Sequence, residues 1–167
     1  MDMSTNSRTP AQPQPAPVTQ FLTFFLGQEE FGLELLRVRQ IVEYTPVTRV
    51  PHLPSSIRGV INLRGLVLPV IDLANKFGLP EQAITRRTCI VIADTEEAGP
   101  IGVLVDAVNQ ASDIAQADIA PAPAFATIVR ADYLIGLAKV NERFVLLLDA
   151  ARVLSPAELL AATTVDP

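Results

Sequence analysis

The sequence predicts an all-β protein built as two small barrels with little helix, and three observations carry that prediction. Apolar runs of strand length recur along the chain, about five to each half, with the division near Glu81. Turn chemistry separates them, at Gly27, at Asn62-Leu63-Arg64-Gly65 and at Asn141-Glu142-Arg143. The 49% hydrophobic content rests on Val, Ile, Leu and Ala with only 5% aromatic residues and no Trp, a composition suited to barrel interiors.

Residues 1–20 hold Pro10, Pro13, Pro15 and Pro17 among Ser, Thr, Gln and Ala. Such a stretch cannot bury enough apolar surface to offset the entropy of ordering, so it reads as a disordered tail. Phe21 to Leu26, a turn at 27–30 and Phe31 to Leu33 form the first hairpin. Leu35, Val38 and Val42, with Leu36, Gln40 and Ile41 between them, fit a short helix or an irregular segment better than a strand. That segment either caps one barrel end or forms a lip beside the Asn62–Gly65 hairpin. Pro46, Pro51 and Pro54 then punctuate a loop that contains the single histidine, His52.

Ile57 to Leu73 is the stretch around which the chain is organised. Val60-Ile61 and Leu66 to Ile71 flank the Asn62–Gly65 break, which places Arg64 on an exposed turn. Leu66, Val67, Leu68, Val70 and Ile71 leave no polar face, so the second strand is expected to be covered on both sides. Pro69 donates no ladder bond and belongs at an edge or a bulge. Asp72 is placed to cap a short helix, Leu73 to Phe77, that Gly78 and Pro80 end.

Residues 81–87 form a polar linker. Thr88 to Ala93 and Ile101 to Val108 make another hairpin, with Cys89 at its edge. Ala111 to Phe125, with Pro121 and Pro123, reads as a long crossing loop. Tyr133 to Val140 and Phe144 to Leu148 form the last hairpin. A C-terminal helix follows Asp149, interrupted near Ser155-Pro156, and residues 155–167 end in a fraying segment.

Composition narrows the function. A chain of 167 residues allows one domain or two intertwined lobes, with about 65 to 70 per cent of its extended surface buried on folding. The net charge of -5 and the scattered cations lack the basic stripe that nucleic acid requires. Of the 13 cations, 11 are Arg, the side chain suited to forked recognition of carboxylates, although high-GC codon usage explains the bias equally well. One Cys excludes an internal disulfide and fits a reducing cytoplasm. Neither a signal peptide nor a membrane span is read, so any work at a membrane depends on recruitment. No phosphate loop, dinucleotide glycine triplet, metal-ligand spacing or nucleophile elbow occurs, so neither a cofactor nor a metal is expected. An enzyme would need Asp72, His52 and Cys89 to converge from separate segments, and the sequence is read as non-catalytic.

Phe24-Phe25-Leu26-Gly27, Ile57-Arg58-Gly59-Val60, Asn62-Leu63-Arg64-Gly65 and Tyr133-Leu134-Ile135-Gly136-Leu137 occur in an order and spacing that resembles the CheW-type chemotaxis coupling proteins, from about Phe21 to about Leu154. The resemblance implies two intertwined five-stranded SH3-like β-barrels around a common core. It also implies a non-catalytic adaptor that holds the cytoplasmic tip of a chemoreceptor on one face and the regulatory domain of the histidine kinase CheA on another. A coupling protein of a type IV pilus or surface-sensing pathway would share the same fold and faces. Val38, Gln40, Ile41, Gly59, Asn62, Leu63, Arg64 and Gly65 match the family's receptor-contact positions, and Val108 and Phe125 are the kinase-contact candidates. At Gln40 the family usually carries Glu, which pairs with the arginine matching Arg64. Here either Arg64 is free to seek a carboxylate on its partner, or Glu43 or Glu34 takes over. Ala120 stands where some relatives carry Arg.

Overall fold

The computed structural model describes residues 17–54, 56–96, 99–121 and 133–154. Among the described residues, ten strands form two five-stranded sheets. In chain order they are β1 (Val18–Leu26), β2 (Glu29–Glu34), β3 (Val38–Glu43), β4 (Ile57–Leu63), β5 (Leu66–Asp72), β6 (Cys89–Thr95), β7 (Gly99–Val105), β8 (Ala107–Ala115), β9 (Leu134–Val140) and β10 (Arg143–Leu148). Single-turn helices α1 (Leu73–Lys76) and α2 (Ala150–Val153) follow β5 and β10. The first sheet has the order β9-β10-β2-β1-β8 and the second β3-β6-β7-β5-β4.

The two halves of the chain exchange their hairpins. Strands β1–β5 precede Glu81 and β6–β10 follow it, so five strands do fall on each side. The β1–β2 hairpin, however, pairs with β8 and β10 of the second half, while β6–β7 pairs with β3 and β5 of the first. The chain therefore changes sheets at Leu35–Arg37 and at Asp106, and the segment near Glu81 joins two strands of the same sheet.

Each half repeats the same devices. Gly32 pairs in parallel with Leu147, and Gly102 with Val70. A bulge follows Ile57 in β4 and Leu134 in β9, at Gly59 and Gly136 respectively. A Cβ at Gly59 would run into the carbonyl of Thr48, and one at Gly136 into that of Ala120. Those carbonyls belong to the lone antiparallel bridges Thr48–Val60 and Ala120–Leu137, which draw the edge strands of each sheet toward one another. Asp72 and Asp149 cap α1 and α2, accepting from the N–H of Asn75 and of Ala151. Sequence periodicity hides this repeat because most of the matching positions carry different apolar residues.

The cores follow from the exchange. Leu22, Phe24, Phe31 and Leu146 of the first sheet meet Ile57, Ile71, Val91 and Val103 of the second in a shared cluster. Phe31, Phe77 and Tyr133 link it across the lobes, with centroids 5.6 and 5.7 Å apart. Smaller clusters fill each lobe, around Ile61, Leu68 and Ile90 in one and Phe21, Val145 and Leu147 in the other.

Several expectations change. β1 begins at Val18, inside the segment read as tail. The helix expected at Leu35 is a single 3-10 turn, Leu35–Arg37, and Val38–Glu43 is a strand paired with β6. Its inward residues are Val38, Gln40 and Val42 and its outward ones Arg39, Ile41 and Glu43, so polarity does not alternate with burial and the strand pattern is masked. Ala111–Ala115, read as loop, continues β8, because pairing with Val18–Leu22 outweighs the weak strand preference of Ala, Ser and Asp. β5 is covered only from Leu68 onward. Pro69 sits where β5 has β4 as its neighbour and pairing with β7 has not begun, an edge in local terms. The C-terminal segment after 154 and Phe125 lie outside the described residues.

Candidate partner-docking site

The β4–β5 hairpin closes through a two-residue turn. Leu63 pairs with Leu66, leaving Arg64 and Gly65 at its tip with φ of 54° and 87°. Two successive left-handed residues make the turn whose twist matches the flanking strands. Gly65 meets this demand without cost and Arg64 does so under strain. The Asn62 side-chain oxygen accepts the Gly65 N–H at 2.8 Å and locks the turn. Asn62 thus shapes the loop that carries the cation.

Arg64 is exposed and has no carboxylate partner among the described residues. Arg39 and Arg58, by contrast, are engaged. Arg39 pairs with Asp94 through two contacts of 3.0 and 3.3 Å. Arg58 donates to Asp72 at 2.7 Å and reaches Glu81 at 3.4 Å. Burial works against the Arg58 charge, but its hydrogen bond to Asp72 and the charges of Asp72, Glu81 and Tyr44 outweigh it and raise its pKa. Neither Gln40, Glu34 nor Glu43 pairs with Arg64, so the substitute partners weighed from the sequence are not taken up.

The other receptor-side positions divide into wall and frame. Ile41 is 44% exposed on β3, Gln40 and Val38 are half-buried, and Val38 packs against the shared core. Leu63 is half-buried against the cluster of Ile61 and Leu68, beside Val42. Gly59 is buried, and its missing side chain admits the chain's own Thr48 carbonyl. Gly59, matched above to a receptor-contact position, is thus required by the Thr48–Val60 bridge of the chain itself. Leu66 and Val67, expected inside, are 49% and 60% exposed next to Arg64. Their exposure escapes sequence reading because an apolar pair beside a turn looks the same covered or bare.

On the opposite sheet, Val108, the second residue of β8, stands opposite Phe24 and is half-buried against the shared core. Of the three residues weighed for chemistry, two share a groove and one stands apart. His52 and Asp72 line a groove of about 500 Å³ with Arg49 and Arg58, and Cys89 is not among its walls. Asp72 is engaged by Arg58 and by the cap of α1. Burial pushes the Cys89 thiol above its ordinary pKa, partly offset by a hydrogen bond from the Val108 backbone. No group of three or more metal-ligating side chains occurs among the described residues.

Comparison with known proteins agrees with this architecture. The family model described as "CheW-like domain" matches residues 20–158. The chain is 36% identical over 140 residues to the chemotaxis protein CheW of Klebsiella aerogenes, covering 84% of each chain. It is 35% identical over 139 residues to that of Helicobacter pylori, covering 82% of each. The crystal structure of the scaffolding protein TtCheW from Thermoanaerobacter tengcongensis superposes with a TM-score of 0.73 at 28% identity, covering 86% of this chain and 90% of that one. With the two exchanged five-stranded sheets already in place, these matches show that the chain belongs to the CheW-like domain family.

Proposed function

We propose that the chain is a non-catalytic scaffold of chemotaxis signalling that couples chemoreceptors to the histidine kinase CheA. The observation that carries the receptor side is the strained turn that holds Arg64 outward with no ion-pair partner among the described residues. A receptor tip is a helical hairpin, and a helix can lay an apolar ridge against Ile41 and Leu63 while a carboxylate meets Arg64. Gly59 and Asn62 support that face from behind, and Gly65 gives the turn its shape. The kinase regulatory domain binds elsewhere, on a surface that includes Val108 and Phe125. No helix among the described residues is long and apolar enough to cross a membrane. The coupling role places the protein in the cytoplasm, at receptor arrays reached through the receptor itself.

Calorimetric titration against a CheA regulatory-domain fragment and, separately, a receptor-tip fragment tests this. Arg64→Ala weakens receptor binding about thirtyfold, a loss of about 2 kcal/mol for a well-packed anchor, and leaves kinase binding intact. Phe125→Ala does the reverse unless it collapses the core, which a loss of cooperative melting would expose. Unchanged receptor affinity in folded Arg64→Ala refutes the placement of the receptor face, and binding to neither fragment refutes the coupling function.

A further inference from the structure

Arg86 and Arg87 are the only adjacent cations of the chain, and neither belongs to the docking faces described above. A short turn ahead of β6 carries them. The Thr88 N–H donates to the Thr85 carbonyl at 3.2 Å, the Thr85 N–H to the Thr88 hydroxyl at 2.8 Å and the Arg87 N–H to the Thr85 hydroxyl at 3.1 Å. These three bonds fix the backbone from which both arginines project. Both line an open cleft of about 680 Å³ whose walls also include Phe25, Gly27, Asp106 and Arg143. Arg143 reaches it from the start of β10, with its Nε donating to the buried Glu30 at 3.3 Å and its guanidinium 4.8 Å from the centre of the Phe25 ring. The nearby carboxylates are already committed. Asp106, the one acid lining the cleft among the described residues, accepts the Gly27 N–H at 2.6 Å, and Glu30 accepts from Asn109 at 2.8 Å as well as from Arg143. Arg86 and Arg87 have no ion-pair partner among the described residues. Three cations thus converge from two separate segments of a chain whose net charge is -5.

The geometry points to a binding site for a small soluble anion that carries two or more phosphate groups, such as pyrophosphate or a nucleoside diphosphate, held by Arg86 and Arg87 with Arg143 opposite them. Charge complementarity selects the ligand. Guanidinium forks match phosphate oxygens in bidentate pairs, and a diphosphate supplies enough anionic oxygens for three cations where a lone carboxylate does not. The cleft falls within the ~300–1,000 Å³ that small-ligand sites occupy. A membrane headgroup suits it less well, because lipid-binding patches gather about four to eight cations on one face and this cleft offers three. The frame is pre-organised for such a ligand: the Thr85–Thr88 bonds fix one wall, Glu30 holds the cation of the other, and Asp106 ties down the β1–β2 turn between them. The site is independent of the receptor and kinase faces.

The experiment titrates pyrophosphate and, separately, ADP into the full chain in phosphate-free buffer at about 50 and 200 mM salt. Arg86→Gln and Arg87→Gln are run alongside, with an Arg49→Gln/Arg152→Gln double variant that removes two exposed arginines lying outside the cleft. Melting curves confirm that each variant is folded, and NMR shifts of amide and arginine side-chain groups locate the ligand. The expected result is saturable binding of both probes, with a loss of about five- to tenfold for each cleft variant, as for one charge-assisted contact that is partly exposed. The double variant keeps the parent's affinity, higher salt weakens binding, and the shifts gather at Gly27, Arg86, Arg87 and Arg143. Failure of both probes to bind saturably overturns the site, as does parent-like affinity in both cleft variants. An equal loss in the double variant shows diffuse attraction to the protein's cations and overturns it too. Binding to phosphatidylglycerol vesicles but to neither soluble probe makes the cleft a lipid contact and overturns the soluble ligand.

Discussion

Arg64→Asn should make the protein more stable while damaging its function. Arg64 holds φ at 54°, and a left-handed backbone costs an ordinary L-residue about 1–2 kcal/mol. Asn tolerates that region because its short side chain bonds locally, and Asn-Gly is the preferred pair for this turn. No compensating loss arises, because the guanidinium has no ion pair among the described residues. The gain should therefore be about 0.5–1 kcal/mol, or about 1–4 °C in a chain of this size. The protein contains its own control. Asn141 occupies the equivalent turn of the second hairpin at φ 52°, so Asn141→Arg should lose what Arg64→Asn gains. Urea melts of the two single variants and the double variant measure both shifts, with the double variant near the parent because distant sites add. A neutral or destabilising Arg64→Asn would refute the view that Arg64 is kept at this turn against its conformational preference.

Other perturbations probe the frame. Gly59→Ala and Gly136→Ala should each cost at least ~2 kcal/mol by forcing a Cβ against the carbonyl of Thr48 or Ala120, with the larger loss at Gly59, whose φ of 152° disfavours any side chain. Chemical denaturation of each variant checks this, and equal stability to the parent would show that the seams yield. Asp72→Ala should cost about 2–4 kcal/mol, since it removes the α1 cap and leaves the mostly buried Arg58 with only the longer 3.4 Å contact to the exposed Glu81, and thermal melting reads the loss. Because burial raises the Cys89 pKa, less thiolate is present near pH 8 than in a free cysteine, so alkylation there should be slower than for a model thiol and should recover in denaturant.

Local chemistry was legible in the sequence, and partnership was not. The Arg64 turn follows from Asn62 and Gly65, and the α1 cap from Asp72, because each depends on residues a few positions apart. β3 was obscured because Gln40 faces inward and Ile41 outward, so the side chains do not advertise the strand's period. The exposure of Leu66 and Val67 was invisible for a related reason. Apolar periodicity states that a residue can be buried, and only the neighbouring strands decide whether it is. Periodicity also reveals which segments can be strands without revealing which strands they join, so the hairpin exchange had to be seen in the pairing of β1–β2 with β8 and β10.

That exchange has a consequence for how the protein is made. The second sheet needs only residues up to Val105, so a ribosome finishing β7 has released everything required to complete it. The first sheet needs β10, and until Leu148 emerges the β1–β2 hairpin waits for its strand partner, with Phe21 lacking Ile114, Ala138, Val145 and Leu147 of its cluster. The earliest strands synthesised are therefore among the last to find their places. A nascent chain stalled between β7 and β10 would display an aromatic hairpin with free edges, the species most exposed to chaperone capture or aggregation during synthesis.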